Sequence, residues 1–369
     1  MSKTITVNMG PQHPATHGVL RLELEIDGEV VKKVTPHIGY LHRCMEKHSE
    51  NVDLIGVIPY VDRLDYLASM CMELGYVLGV EKNLEIEVPK KAQYIRILVC
   101  ELQRIASHLL AMGTYAIDLG AFTPFLYAFD DREKILSIFE EISGARLLYN
   151  YICIGGVSKD VTKESLLAIQ QFLPHMEKKI EEYNNLLTYG KIFKGRTVGV
   201  GIISESIARD FGCTGPVLRA SGVAWDLRKI MPYSSYEEFD FTLITGSDQF
   251  GYLGDCWNRH YVRMEEMKES LKIISQVLEK LEGTTIKGKT SKILKTNEGE
   301  VFVSTESARG EIGFHLIGKA LETKWYRVKV KSPCFTHVST LSTIGPGMLI
   351  SDLVSTIGSL DIVLGEIDR

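Results

Sequence analysis

The 369-residue sequence has no surplus of positive charge. Lys and Arg number 42 against 47 Asp and Glu, a formal net charge of −5. A nucleic-acid-binding face needs a basic excess to neutralise phosphates, so no nucleic acid is expected as a partner. No run approaches the roughly 20 apolar residues of a membrane helix. The opening Met1–Pro14 stretch has no apolar core of the kind a secretory signal carries. These absences predict a protein of the cytoplasmic side that can still dock on a membrane partner. The seven cysteines, at 44, 71, 100, 153, 213, 256 and 334, include no pair within four residues. Neither a CxxC zinc site nor a chain-internal iron–sulphur cluster is therefore expected; most of them read as buried, reduced thiols. HExxH, GxSxG and phosphate-loop motifs are missing. Gly199-Val200-Gly201-Ile202-Ile203-Ser204 lacks the last glycine of a dinucleotide fingerprint.

What is present is a folded composition, 45% hydrophobic and 24% charged, long enough for two or three lobes. Leu20, Leu22, Leu24 and Ile26 alternate with Arg21, Glu23 and Glu25, the period of a half-buried strand. Asp27-Gly28 is read as the two-residue turn into a second strand, Glu29–Val34. The middle is helical. Leu64, Leu67, Cys71, Leu74 and Leu78 make one apolar stripe, and Ile95, Leu98, Leu102, Ile105, Leu109 and Met112 make another. On that second helix Glu101, Arg104 and His108 share a different face, read as solvated or paired. Further helices are expected near 131–150, 161–188 (kinked or broken at Pro174), 261–282 and 348–358, with short strands at Val301–Ser304 and Trp325–Val330. The predicted fold is α+β. A small N-terminal antiparallel sheet (1–58) precedes a central long-helix bundle (59–283), and a C-terminal mixed lobe (284–369) packs back on it.

Three segments concentrate chemistry. Gly10–Gly18 sets His13 and His17 four apart, but Pro14 between them argues for a loop rather than a helical metal site. That loop is either a rigid hydrogen-bonded turn or a mount for an imidazole facing a cavity. Pro36–Lys47 is a glycine-punctuated loop leading from His37 into His42, Arg43, Glu46 and Lys47, by itself a charged helix start. Tyr60–Tyr66 opens the first long helix with Asp62, Asp65 and Tyr66 beside its apolar stripe.

Taken together, GPQHPATHGVLRLELEIDGE, PHIGYLHRCMEK, YVDRLDYL, RIASHLLAMGTYAIDLGAFTPF, GPVLRASGVAWDLRK and DLVSTIGSLDIVLGEIDR follow the order found in the quinone-site subunit of respiratory complex I. The chain resembles that family from about Val7 to Arg369. The family shares its fold with the large subunits of nickel–iron hydrogenases, whose metal is held by two cysteine pairs. Here Asp65 and Ala68, and Val354 and Ile357, stand at those positions, so the resemblance implies no metal and no cofactor bound by this chain. It implies instead a quinone as substrate, with His17 beside one carbonyl, Tyr66 beside the other and Asp118 coupled to His17. It places Arg43 near an iron–sulphur cluster of a small neighbouring subunit. The other partners implied are the adjacent C-type subunit and the membrane quinone-channel subunit, with the chain peripheral on the cytoplasmic side of the cell membrane. NADH, a reduced deazaflavin and ferredoxin all feed related complexes. A hydrogenase large subunit would need the missing cysteines, and a purely structural subunit would not need His17, Tyr66 and Asp118. Two positions depart from the family pattern: Leu148, where many relatives have His, and Cys153, where many have Arg. Their loss predicts a neighbouring cluster of lower potential with a flatter pH dependence, suited to a low-potential quinone such as menaquinone.

Overall fold

A computed structural model describes residues 4–13 and 16–369, so Pro14 lies outside the described residues. The chain is α+β, with three small antiparallel sheets among the described residues, set around long helices. The first sheet joins β1 (Ile5–Met9), β2 (Arg21–Asp27) and β3 (Val30–His37) in that order. Leu22 and Leu24 of β2 point to the interior, as the alternation requires. The turn, however, falls one residue later than expected. Asp27 still pairs with Val30, and Gly28 with Glu29 forms the loop, Gly28 taking a positive φ of 62°.

Short helices α1 (Met45–Ser49) and α2 (Ile58–Val61) lead to α3 (Ser69–Leu84). The sequence places Leu64 and Leu67 on that helix, but residues 62–68 turn instead. The Asp65 carboxylate accepts the Leu67 N–H at 3.1 Å, a local bond that competes with helix formation. The 29-residue α4 (Lys90–Asp118) follows, and then α5 (Thr123–Ser143), which ends at Gly144 before the position expected from the sequence. A tight hairpin, β4 (Ile152–Cys153) and β5 (Gly156–Val157), separates them from α6 (Lys163–Tyr183). Pro174 does not break α6. It lies on the exposed face, where water can satisfy the carbonyl it deprives of a donor, and only the following turn, 184–188, widens to π geometry. Short helices α7 (Lys191–Thr197), α8 (Glu205–Asp210), α9 (Gly215–Ala220) and α10 (Leu227–Ile230) wrap the bundle before α11 (Cys256–Lys280), which the Asp255 side chain caps.

The third sheet orders β6 (Gly299–Ser307), β7 (Gly310–Gly318) and β8 (Arg327–Lys331). The glycines of α3 let this sheet approach. A Cβ on Gly75 would lie 2.9 Å from the Phe314 ring, and one on Gly79 would lie 2.7 Å from Leu316. The chain closes with α12 (Pro333–Ser339), α13 (Leu341–Ile344), α14 (Ile350–Leu360) and α15 (Leu364–Asp368). Two apolar cores result. The larger joins α3, α4, α5, α6 and α11 to the β6–β8 sheet. The smaller packs Leu20, Leu22, Leu24, Val31 and Val34 against Val338, Leu341, Leu353, Ile357 and Ile367. No described helix is long and apolar enough to cross a membrane. Five of the seven cysteines are buried, and all seven are free thiols.

Candidate functional site

The two cores meet where the loop before β2 reaches the end of α4. Buried Thr16 stiffens that loop, its N–H and hydroxyl both donating to the His13 carbonyl at 3.1 and 2.7 Å. His17 follows with a left-handed backbone, φ 50°, uncommon for a residue with a side chain. Its imidazole Nε2 lies 2.6 Å from Oδ2 of Asp118, the last residue of α4. Room for that carboxylate comes from Gly358 on α14, where a Cβ would sit 2.6 Å from Oδ2. Burial pushes the His17 imidazole down. The hydrogen bond and charge of Asp118, with the charge of Asp361, outweigh it, so its pKa is raised above the ordinary histidine value. With Nε2 engaged, Nδ1 remains for a ligand.

Tyr66 projects from the 62–68 turn and is 40% exposed. Burial of the rest of the ring raises its pKa, while the Arg309 and Arg43 guanidinium groups draw it down. Arg309 sits in the two-residue loop between β6 and β7 and is fully buried. It donates to Asp65 Oδ2 at 2.8 Å, to the Ser107 hydroxyl at 2.9 Å, and to the Asp361 carbonyl and carboxylate at 3.1 and 3.2 Å. The same cation therefore acts on Tyr66 and on His17. The α15 turn backs both segments: Leu364 meets Gly18, and Gly365 meets the Leu64 carbonyl.

His17 and Asp118 are thus in contact, and Tyr66 shares with His17 the field of Arg309. Arg43, exposed, donates to the Arg63 carbonyl, and its charge reaches Tyr66. Leu148 and Cys153 flank Asn150, whose N–H donates to Asp62 Oδ2 at 3.1 Å at the start of the 62–68 turn. Leu148 is half-buried with φ 57°, in the loop after α5. Cys153 is half-buried in β4, its carbonyl taking a hydrogen bond from Arg96 at 2.9 Å. Of the four positions that the resemblance sets against hydrogenase thiolates, Asp65 is tied to Arg309, while Ala68 and Ile357 are buried and apolar. Among the described residues no group of three or more His, Cys, Asp or Glu is arranged to hold a metal ion.

Sequence reasoning passed over Arg309 and Asp361. The only local signal was a lone arginine at the Ala308-Arg309-Gly310 corner between apolar strands. It also read Glu101, Arg104 and His108 as a solvated or paired stripe, and they are paired in the deep interior. Glu101 takes bonds from Arg104, Arg228, Tyr236 and Ser270, and His108 bonds Glu266 at 2.9 Å.

The family model described as respiratory-chain NADH dehydrogenase, 49 Kd subunit, matches residues 118–297 and 288–369. The chain is 50% identical over 371 residues to the D-type subunit of NADH-quinone oxidoreductase from Chlorobium luteolum, covering 100% of this chain and 94% of that one. It is 50% identical over 368 residues to the D-type subunits of the same enzyme from Chlorobaculum parvum and Chlorobaculum tepidum, covering 99% of this chain and 92% of each.

Proposed function

Because the chain belongs to the 49 kDa-subunit family of respiratory-chain NADH dehydrogenase, and so is a subunit of the NADH-quinone oxidoreductase complex, we propose that it forms part of the quinone site and protonates the reduced quinone. The observation that carries this reading is the His17–Asp118 contact at 2.6 Å, on the wall from which Tyr66 emerges under Arg309. Quinol formation needs two electrons and two protons, and negative charge develops on the two carbonyl oxygens as electrons arrive. His17, held protonated by Asp118, presents Nδ1–H to one oxygen. The Tyr66 hydroxyl donates to the other, and Arg309 stabilises the phenolate left behind. Asp118 fixes the imidazole and compensates its charge. The deprotonated pair must then be reloaded, and that demand is the signal we assign to proton translocation in membrane subunits.

In this reading the electrons come from an iron–sulphur cluster in a small neighbouring subunit, reached past Arg43, and NADH is oxidised elsewhere in the complex. The chain itself holds no redox centre. It docks peripherally on the cytoplasmic side of the cell membrane, between the C-type subunit and the membrane quinone-channel subunit. The test is Tyr66→Phe and His17→Ala in the assembled complex. Each should lower quinone reduction by a factor of about 10² to 10³ while electron transfer to artificial acceptors upstream is retained. Quinone turnover near wild type in both variants would remove the headgroup from this wall.

A further inference from the structure

The sheet of β6, β7 and β8 has two edges, and they are finished differently. Along β8 the Val330 N–H donates to Glu46 Oε1 at 3.0 Å, and the Val330 carbonyl accepts from Arg369 at 2.9 Å, so side chains of other segments close that edge. On β6, Ser307 pairs with Gly310 across the two-residue loop. Alternation from that pair turns the main-chain groups of Val303 and Thr305 towards β7 and those of Phe302, Ser304 and Glu306 away from it. The bonds made on the outer side agree. The Glu306 N–H donates to the Tyr233 hydroxyl at 3.0 Å, its carbonyl accepts from Arg104 at 2.7 Å, and the Phe302 carbonyl accepts from Lys82 at 3.3 Å. Among the described residues nothing takes the Phe302 N–H or either main-chain group of Ser304.

These residues line a groove of about 920 Å³ between β6, the end of α3, the 85–88 segment and residues 231–234. Leu78, Ile86, Val88 and Val303 give it half-buried apolar walls, and Met231 adds a side chain that is 62% exposed. Ser234 also lines it, and its buried hydroxyl has no partner among the described residues. His17, Tyr66 and Arg309 take no part in this groove. An open strand edge beside apolar walls is a template for one more strand.

The charge of the groove selects the occupant. Glu85 and Glu87 are exposed and form no ion pair among the described residues. Of the cations in the lining, Arg96 is bound to Glu81 at 3.0 and 2.6 Å, and Lys82 rests on the Phe302 carbonyl. Helix α3 ends here, at Glu85, and a helix C-terminus favours positive charge. A second copy of this chain is the wrong partner. Its own edge carries exposed Glu298 and Glu300, so laying it along β6 would set acid beside acid.

We propose that the open edge of β6 binds an extended, basic segment of another subunit of the complex, which adds a fourth strand to this sheet. The main chain of that segment takes the Phe302 N–H and both groups of Ser304. Its apolar side chains enter between Leu78, Ile86, Val88 and Val303, and its Lys or Arg side chains meet Glu85 and Glu87. Spanning Glu300 to Ser304 takes about five residues at ~3.4 Å each. Lys82 acts as a guard in the free chain: a flexible ammonium on an edge carbonyl opposes indiscriminate pairing and yields to a partner N–H. The inference needs only that the chain is a subunit of the complex. Neither the quinone nor an iron–sulphur cluster enters it.

The experiment is amide hydrogen exchange, read residue by residue, on the purified full chain and on the assembled complex. In the purified chain the Phe302 and Ser304 amides should exchange fast, while Val303 and Thr305, bonded to β7, exchange slowly. In the complex the first two should slow by at least about tenfold. Equal rates in the two states overturn the proposal. Protection that appears in the purified chain as it dimerises overturns it too, because the occupant is then a second copy. Glu85→Lys combined with Glu87→Lys changes two exposed side chains and should return both amides to fast exchange in the complex. Protection retained in that variant overturns the basic occupant. Should the variant fail to assemble, the wild-type complex decides. Raising salt from about 0.1 to 1 M cuts the electrostatic range from about 10 to 3 Å and should speed the same two amides; an unchanged rate overturns the proposal.

Discussion

Replacing Arg309 by Met keeps the length of the side chain and removes its charge. Four hydrogen bonds disappear, to Asp65, Ser107 and two atoms of Asp361. Asp65 is fully buried, and its carboxylate's remaining contact is the Leu67 N–H; the Asp361 carboxylate keeps the Arg263 guanidinium, at 3.7 Å. Stranding a buried carboxylate in this way costs about 3–5 kcal/mol, more than the net worth of the bonds themselves. Arg309→Lys should fall in between, because an ammonium keeps the charge but cannot fork between two acids. Unfolding of the purified full chain in guanidinium, followed through buried Trp257 and Trp325, gives the numbers. Asp65→Asn combined with Arg309→Met should cost less than the sum of the two single changes, with a coupling of about 1–3 kcal/mol. A loss below about 1 kcal/mol in Arg309→Met, or additivity in the cycle, would refute the view that this cation holds the wall together.

Three further outcomes follow from the same geometry. In Asp118→Asn the two largest influences that raise the His17 pKa, the hydrogen bond and charge of Asp118, are lost while burial and the Arg309 charge remain, so the imidazole sheds its proton at lower pH. The alkaline limb of the quinone-reduction profile should move to lower pH and the deficit should narrow in acid; an unmoved limb would contradict the pairing. Gly75→Val should destabilise the chain by about 1–3 kcal/mol, since its Cβ would meet Phe314 at 2.9 Å and Thr305 at 3.0 Å, and equilibrium unfolding would reveal it. The purified chain should carry no stoichiometric nickel or iron by elemental analysis after chelation, because Asp65, Ala68, Val354 and Ile357 offer no thiolate.

Periodicity was readable wherever one face of an element decides its fate. The β2 alternation and the α4 stripe from Ile95 to Met112 both appear in the burial pattern. It misled where a side chain bonds its own backbone, as Asp65 does in delaying α3; of the two readings of Pro174, kink or break, the continuous α6 excludes the break. Strand β7 went unread because Gly310, Gly313 and Gly318 interrupt its apolar run. Gly313 nonetheless sits closely, with its Cβ position 3.0 Å from the Phe302 ring and 3.2 Å from Lys331 Cβ. The polar face of α4 was read as solvated or paired, and the sequence could not choose because its partners, Arg228, Tyr236 and Glu266, are distant in sequence. Of the site, only residue types were local information. That His17 meets Asp118 across 101 positions came through resemblance, and Arg309 came through neither route.

The smaller core has a consequence for synthesis. Its first part, Leu20 to Val34, emerges early, a middle part, Ile203 to Val223, follows, and its last part, Val338 to Ile367, emerges at the end. Along the way Val31 exchanges main-chain bonds with Gly347 and Met348, and Asp368 holds the Gly39 and Leu41 N–H groups. Loop closure over some three hundred residues is slow relative to local folding. A nascent chain therefore presents a finished hairpin with an uncovered leucine face for most of its elongation, the sort of surface that sticks to other chains. Yield of this polypeptide in a cell should thus depend on translation speed and on whatever shields that hairpin in the interval, before any question of assembly with other subunits arises.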